Sequence, residues 1–252
     1  MPPDTTHHEN SGADEPNKAP LRTTLAGGLS APIPVDEQAR LAALRRYDLS
    51  DPATKASLEE LCALAAAICQ VPLAFVSLVE EAREVFAVAV GSDEADSPRD
   101  ISFCGHAIVQ KEELFVVPDT HTDPRFAKNP NVLGGARIRF YAGMPLRTRD
   151  GFAIGALCVK DTAPRELGPQ QLDALAVLGR QVVAQLERKS DEMLARSLAS
   201  IVDAYADAVL SVDRNGIVLT WNTAAEALFG FSAQEMVGAT LAPVLPGREV
   251  VP

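Results

Sequence analysis

Cys104 and His106 stand two residues apart in RDISFCGHAIVQ, residues 99–110. A thiol near an imidazole suggests a nucleophile with its base, or two ligands of a metal site. Helical spacing weighs against both. At about 100° per residue, side chains two apart point roughly 200° away from each other, so Cys104 and His106 cannot face one ion. Cys104 shares its face with Ile101, Ala107 and Ile108, and His106 turns toward another surface. One of the two is expected to look into a pocket while the other packs. A metal site would need His121 or Cys158 to converge, and neither a metal set nor a catalytic set is assigned.

Two further segments carry charge beside apolar residues. DPRFAKNP offers Asp123 and Arg125 on a turn set by Pro124. Arg125 is either a ligand contact or a surface partner of Asp119 or Asp123. GGARIRFYAG places Arg137 and Arg139 two apart on a strand-like run that continues into Phe140 and Tyr141. Strand periodicity turns both guanidinium groups to one face and alternates the two aromatics. The arginine pair is a candidate for an anionic ligand, with a solvated surface as the alternative. Gly134 and Gly135 lack the strand-to-helix context of a phosphate loop.

Residues 1–34, rich in Pro, Thr and Gly with little periodic hydrophobicity, predict a disordered tail in which His7 and His8 are solvated. From Val35, apolar residues recur at three and four and predict two helices, the second opened by Ser57 as N-cap with Glu60 as its capping-box partner. LAFVSLVE and REVFAVAVG read as a hairpin, SFCGHAIVQ as a short helix, LFVVPD as a strand and residues 120–138 as a long loop. FYAGMPLRT and AIGALCVKD form a second hairpin turned at Asp150 and Gly151. This order predicts an α+β domain over residues 35–188, an antiparallel sheet with helices stacked on it. Residues 61–79 are uncharged over the length of a membrane span, but Gln70 and Pro72 divide them into helix, turn and buried strand, so no span is expected.

A long helix is predicted over residues 168–200. Leu172, Leu175, Gly179, Val182, Leu186, Lys189 and Met193 follow alternating steps of three and four, a heptad seam with two weak positions. After Met193 the register moves by one, to Leu194, Leu198 and Ile201, which changes the local winding. Up to Leu186 the stripe suits either the domain's own sheet or a second helix; from residue 187 it predicts a seam between two chains, a parallel homodimer. Residues 199–252 then open a new unit, two strand-like runs around Asn215 and Gly216 followed by short helical pieces. Two strands bury little surface, so this unit is expected to be incomplete or to borrow a partner.

A formal charge of −11 opposes direct nucleic-acid binding. Cys62, Cys69, Cys104 and Cys158 lie in apolar periodic segments of a core-rich chain and read as buried free thiols of a reducing cytoplasm. The first twenty residues show no basic run followed by an apolar one, so no signal peptide is read there.

In order along the chain, RLAALRRYDL, VPLAFVSLVE, SPRDISFCGHAI, VVPDTHTDPRFAKNPNV, RIRFYAGMPLRTRDGFAIGALCVKDTAPREL and LGRQVVAQLE resemble the bacterial GAF sensor domains found ahead of histidine kinases and diguanylate cyclases. The resemblance covers about residues 37–188. ADAVLSVDRNGIVLTWNTAAEALFGFSAQEMVGATL is similar to the first half of a PAS domain. The resemblance implies a six-stranded antiparallel sheet with flanking helices, a small-molecule pocket on the loop side, a long signalling helix and a partial PAS unit. Its signalling residues would be Leu172, Leu175, Val182, Leu186, Met193, Leu194 and Leu198; its ligand-binding candidates are Cys104, His106, Asp123, Arg125, Arg137, Arg139, Phe140 and Tyr141. It further implies a cytoplasmic sensor acting on a downstream kinase or cyclase, for which the sequence shows no phosphoacceptor-histidine helix, nucleotide glycine box or cyclase motif.

Bilin-binding relatives present adjacent cysteine and histidine. Gly105 separates the two here, which counts against a covalent bilin and leaves the ligand unnamed. REVFAV also lacks the tryptophan that relatives often carry before the phenylalanine. Two other readings stand: a thiol-dependent reductase of the GAF type using Cys104 and Cys158, and a ligand-free dimerisation scaffold.

Overall fold

Asp51 and Pro52 decide where the second helix begins. The Asp51 carboxylate accepts from the Thr54 N–H at 3.0 Å and from its hydroxyl at 2.6 Å, with Pro52 at the first helical position. Helix α2 therefore runs Pro52–Cys69, and Ser57, the expected cap, lies inside it. Gln70 closes the helix in the left-handed region at φ 55° and the chain passes into strand β1, Leu73–Val79. The uncharged stretch 61–79 is thus helix, turn and buried strand, and no helix among the described residues is long and apolar enough to cross a membrane. The structure is a computed structural model and describes residues 29–49, 51–242 and 244.

The chain divides into two compact units between Leu186 and Glu187. In the first, helix α1 (Glu37–Leu44) and α2 precede the hairpin of β1 and β2 (Arg83–Val90), the edge strand β3 (Asp96–Pro98) and helix α3 (Phe103–Ala107). Strand β4 (Phe115–Val117), helix α4 (Pro130–Leu133), strands β5 (Phe140–Arg147) and β6 (Ala153–Asp161) and helix α5 (Pro169–Asp203) follow. The six strands form one antiparallel sheet in the order β3-β2-β1-β6-β5-β4. Periodicity predicts five of them; β3, three residues of Asp, Ser and Pro, carries no apolar pattern to betray it.

Alternation along the central strands splits the interior into two layers. Ala74, Val76, Leu78, Phe140, Ala142, Leu157 and Val159 pack under α1, α2 and α5. Phe75, Val79, Tyr141, Ala156 and Cys158 face α3 and the loop side. Two details tune this pattern. Gly155 on β6 lies so close to β1 that a Cβ would sit 1.9 Å from the Ser77 carbonyl oxygen, a contact only glycine permits. On β2 the pairing steps from Val76 with Val88 to Ser77 with Phe86, so Ala87 is an extra residue, a β-bulge. The bulge sends Val88 to the helix layer and Phe86 to the loop side.

Leu175, Leu178, Val182 and Leu186 of α5 lie in the helix-side core, and Gly179 lets Met144 approach where a Cβ would be 2.3 Å from the Met144 Cγ. The first half of the heptad stripe is thus covered by the domain's own sheet, one of the two readings open for it, with Leu175, Val182 and Leu186 buried and Leu172 half-buried. Met193, Leu194, Leu198 and Ile201, further along, are exposed within their unit.

The expected tail is corrected at its end. Ala31 is buried and its N–H donates to the Asp100 carbonyl at 3.1 Å. Residues 1–28, with His7 and His8, lie outside the described residues.

In the second unit, β7 (Leu210–Val212) and β8 (Val218–Trp221) pair across a turn in which Gly216 takes φ 77°. Asn222 caps helix α6 (Thr223–Phe229) by accepting from the Ala225 N–H at 2.9 Å, and its amide donates to the carbonyls of Val202 and Asp207, both at 3.0 Å. The Trp221 indole N–H donates to the Phe231 carbonyl at 2.9 Å, over a small core with Val218, Ala225 and Met236 of helix α7 (Ala233–Met236).

Candidate functional site

Ser102 opens α3 by accepting from the Gly105 N–H at 2.9 Å, and its own hydroxyl donates to Oε2 of the buried Glu84. Gly105 is required between Cys104 and His106 because a Cβ there would lie 2.7 Å from the Ala31 Cβ. Both flanking side chains are buried, and they part as helical spacing dictates. The Cys104 Sγ lies 3.5 Å from the Cys158 Sγ and receives the Tyr141 hydroxyl at 3.2 Å. His106 sets its ring edge-on to Phe126, with centroids 4.8 Å apart. All four cysteines are free and buried. Burial pushes the Cys62 thiol up to about 12 and the Cys69 thiol up to about 11, and raises the Cys104 thiol as well, with Cys158 adding to the last.

Burial drives the His106 pKa down to about 4; the Leu29 backbone and Asp123 oppose this, and Arg125 assists it. Its Nε2 has no hydrogen-bond partner. The ring is therefore neutral in the fold but takes up a proton near 6.5 when exposed. The unfolded chain binds more protons in this window, so stability is present above the ordinary value of 6.5 and is lost as pH falls through about 4. On the order of 3 kcal/mol rides on this group. Urea unfolding at about pH 7 and about pH 4.5 should show the fall, and His106→Gln should flatten it; an equally steep profile in the variant would contradict the assignment.

Phe126 joins the loop to this layer. Its ring meets Phe103 at 4.7 Å and Phe115 at 6.1 Å, and the Arg125 guanidinium lies 4.7 Å from the Phe115 centroid. Arg125 is fixed by Asp123, whose carboxylate accepts from its Nε at 2.9 Å. Arg139 forms a two-pronged pair with Asp119, at 2.9 and 2.6 Å. That bond, over the cost of burial, lowers the Asp119 pKa to about 2. Both arginines precede β5 and Arg137 is exposed at φ 50°, so strand alternation is not what sets their directions, although both border one shallow cavity. Phe140 and Tyr141 do alternate, Phe140 into the helix layer and Tyr141 into the loop-side layer.

A cavity of about 300 Å³ opens between the sheet and the loop side. Phe75, Phe86, Phe103, Ala136, Ile138 and the aliphatic part of Leu73 supply apolar wall, with Glu84 and Lys160 as its buried charges. The Lys160 nitrogen lies 4.4, 5.0 and 5.9 Å from the ring centres of Phe75, Phe86 and Phe103. None of the eight candidates chosen from the sequence is in this lining. Arg137 and Arg139 instead border a shallower cavity of about 290 Å³ with His121, Val132, Leu133 and Thr162. Cys104 and Tyr141 pack in the layer behind the main cavity's wall, and Phe140 faces away from it. Lys160 and Glu84 carried one readable signal, a charge inside an apolar strand run, but their facing depended on sheet pairing. No cluster of three or more metal-ligating side chains occurs among the described residues.

A six-stranded antiparallel sheet with α1, α2 and α5 on one face and a cavity beside α3 and the loop on the other defines the class, and the chain belongs to the GAF family, whose domain model matches residues 54–186. A PAS fold matches residues 196–250. Both are sensory domains. A cyclic di-GMP phosphodiesterase of Pseudomonas aeruginosa is 39% identical over 165 residues, 66% of this chain and 26% of that protein. The chain thus spans about a quarter of that relative's length. Among solved structures, the blue-light absorbing form of the Thermosynechococcus elongatus PixJ GAF domain is 16% identical, with 61% of this chain and 95% of that one covered and a TM-score of 0.47. The GAF domain of an Acinetobacter phosphoenolpyruvate-protein phosphotransferase is 18% identical, with 60% and 90% covered and a TM-score of 0.46.

Proposed function

We propose that this chain is a cytoplasmic signal-sensing module that binds a small molecule in the GAF cavity and, as a homodimer, passes its state along α5 to the PAS unit and a downstream effector. The cavity carries this reading: about 300 Å³, the lower end of the range for small-molecule sites, with two buried charges converging on apolar walls. The exposed stripe of Leu194, Leu198 and Ile201 supports pairing of α5 with a second copy, and the one-residue register change after Met193 is the element whose two windings a ligand could bias. A hundredfold preference for one winding supplies about 2.7 kcal/mol of coupling. The relative's cyclic di-GMP chemistry makes a cyclase or phosphodiesterase a natural effector alongside a kinase.

The 3.5 Å approach of Cys104 and Cys158 favours a second reading, a thiol-dependent reductase. Against it, neither sulfur lines the cavity and burial keeps the Cys104 thiol protonated, whereas exchange needs an accessible thiolate. Native mass spectrometry of the full chain tests the sensor reading. A dimer with one small molecule per chain is expected; Ala136→Trp should expel the molecule and keep the dimer, and Leu198→Lys should do the reverse. A monomer that holds nothing overturns the proposal.

A further inference from the structure

Three charged groups meet the main cavity, and their balance restricts what can enter. Lys160 and Glu84 are 7% and 1% exposed, so both are more than nine-tenths buried. Among the described residues no carboxylate comes within 4.0 Å of the Lys160 nitrogen, which lies over three phenylalanine rings. Glu84 is held by Ser102 through Oε2, and its Oε1 is buried with no partner. Glu94, exposed, also borders the cavity. Leaving the buried Glu84 oxygen without a partner is costly, and a ligand that donates to it while accepting from the Lys160 ammonium recovers that cost.

Burial opposes charge on Lys160, but the ionisable groups about it, the Cys158 and Cys104 thiols once ionised and the Glu84 and Glu94 carboxylates, hold its pKa above the ordinary lysine value. A purely anionic ligand would satisfy Lys160 and press against Glu84; a purely cationic one would do the opposite. Building on the sensor reading above, we infer that the cavity takes a small zwitterion of the amino-acid class, its carboxylate on Lys160, its ammonium on Oε1 of Glu84 and its carbon skeleton against Phe75, Phe86 and Phe103. The bulge at Ala87 is what brings Glu84 and Phe86 together to this side of the sheet.

Calorimetric titration of the full chain with L-leucine, L-phenylalanine, 4-aminobutyrate and 6-aminohexanoate tests this, each compared with the amine that lacks the carboxylate and the acid that lacks the amine. At least one zwitterion should bind, and each of its single-charge analogues should bind at least tenfold more weakly. Lys160→Met should erase the advantage of the zwitterion over the amine, and Glu84→Gln its advantage over the acid. The wild-type comparison needs no variant and stands even where a variant fails to fold. An analogue that binds as tightly as its zwitterion overturns the inference, as does a panel in which none binds. If none binds while native mass spectrometry shows another small molecule that Ala136→Trp expels, the ligand class is wrong and the sensor reading survives; if the protein holds nothing at all, both fall.

Discussion

Phe126→Ala should destabilise the first unit by about 3–5 kcal/mol, the range for removing a large ring from a packed core. Phe126 is fully buried and its ring touches Phe103, His106 and Phe115, while Arg125 packs a guanidinium 5.4 Å from its centre. The loss should exceed what its area predicts, because the same ring fastens the loop to α3. Val132 and Ile138 join the same layer further along, and the loop has polar ties as well, such as the Asn129 amide donating to the Ile101 carbonyl at 2.9 Å. Urea unfolding gives the stability change, and ligand titration gives the functional one: Ile138 and Ala136, at the loop's end, line the cavity and should lose their fixed positions. A stability loss under about 1 kcal/mol would mean that the loop is held by its polar ties instead.

Glu37→Gln should cost about 3–5 kcal/mol, because it strips the shared counter-ion from two buried guanidinium groups. Arg40 and Arg99 are 1% and 5% exposed. Glu37 accepts from Arg40 at 2.7 and 2.8 Å and from Arg99 at 2.5 Å, and Arg99 otherwise reaches the Glu80 carbonyl at 3.0 Å. Two nitrogens of Arg99 already lack partners, so the network has no spare acceptor. Burial alone would raise the Glu37 pKa, but Arg40 and Arg99 outweigh it and the folded value lies below the ordinary 4.5. The unfolded carboxylate binds its proton first as pH falls, so this stabilisation is full above 4.5 and is lost below it. Wild type and variant should therefore differ most near neutral pH and converge in acid. A constant difference would place the cost in packing rather than in the charge.

Hydrophobic period and turn chemistry made much of the fold legible. The helix, turn and strand at 61–79, both hairpins and the Asn215 and Gly216 turn follow from local preferences that tertiary contacts reinforce. The helix start did not, because an N-cap at Ser57 competed with Asp51 and Pro52, and the pair that combined a capping carboxylate with a proline at the first position prevailed. The parting of Cys104 and His106 was also legible, since helical geometry fixes it whatever surrounds the helix.

What local pattern could not supply was the direction in which charged strand residues face. Glu84, Phe86 and Val88 share one parity, and an unbroken strand would have sent all three to the same side. One extra residue at Ala87 separates Val88 from the other two, and that bulge exists only in the pairing of β2 with β1. Arg137 and Arg139 do meet at one cavity, but it is the shallower one, and they reach it from the segment before β5 rather than by strand alternation. Local pattern alone was enough for five of the six strands, the long helix and their order, because period and turn chemistry act between near neighbours; it passed over β3 and α4, which are too short to show a period. The tertiary structure alone decided that Lys160 and Glu84, 76 positions apart, face one cavity, because strand register and a single bulge are properties of the assembled sheet.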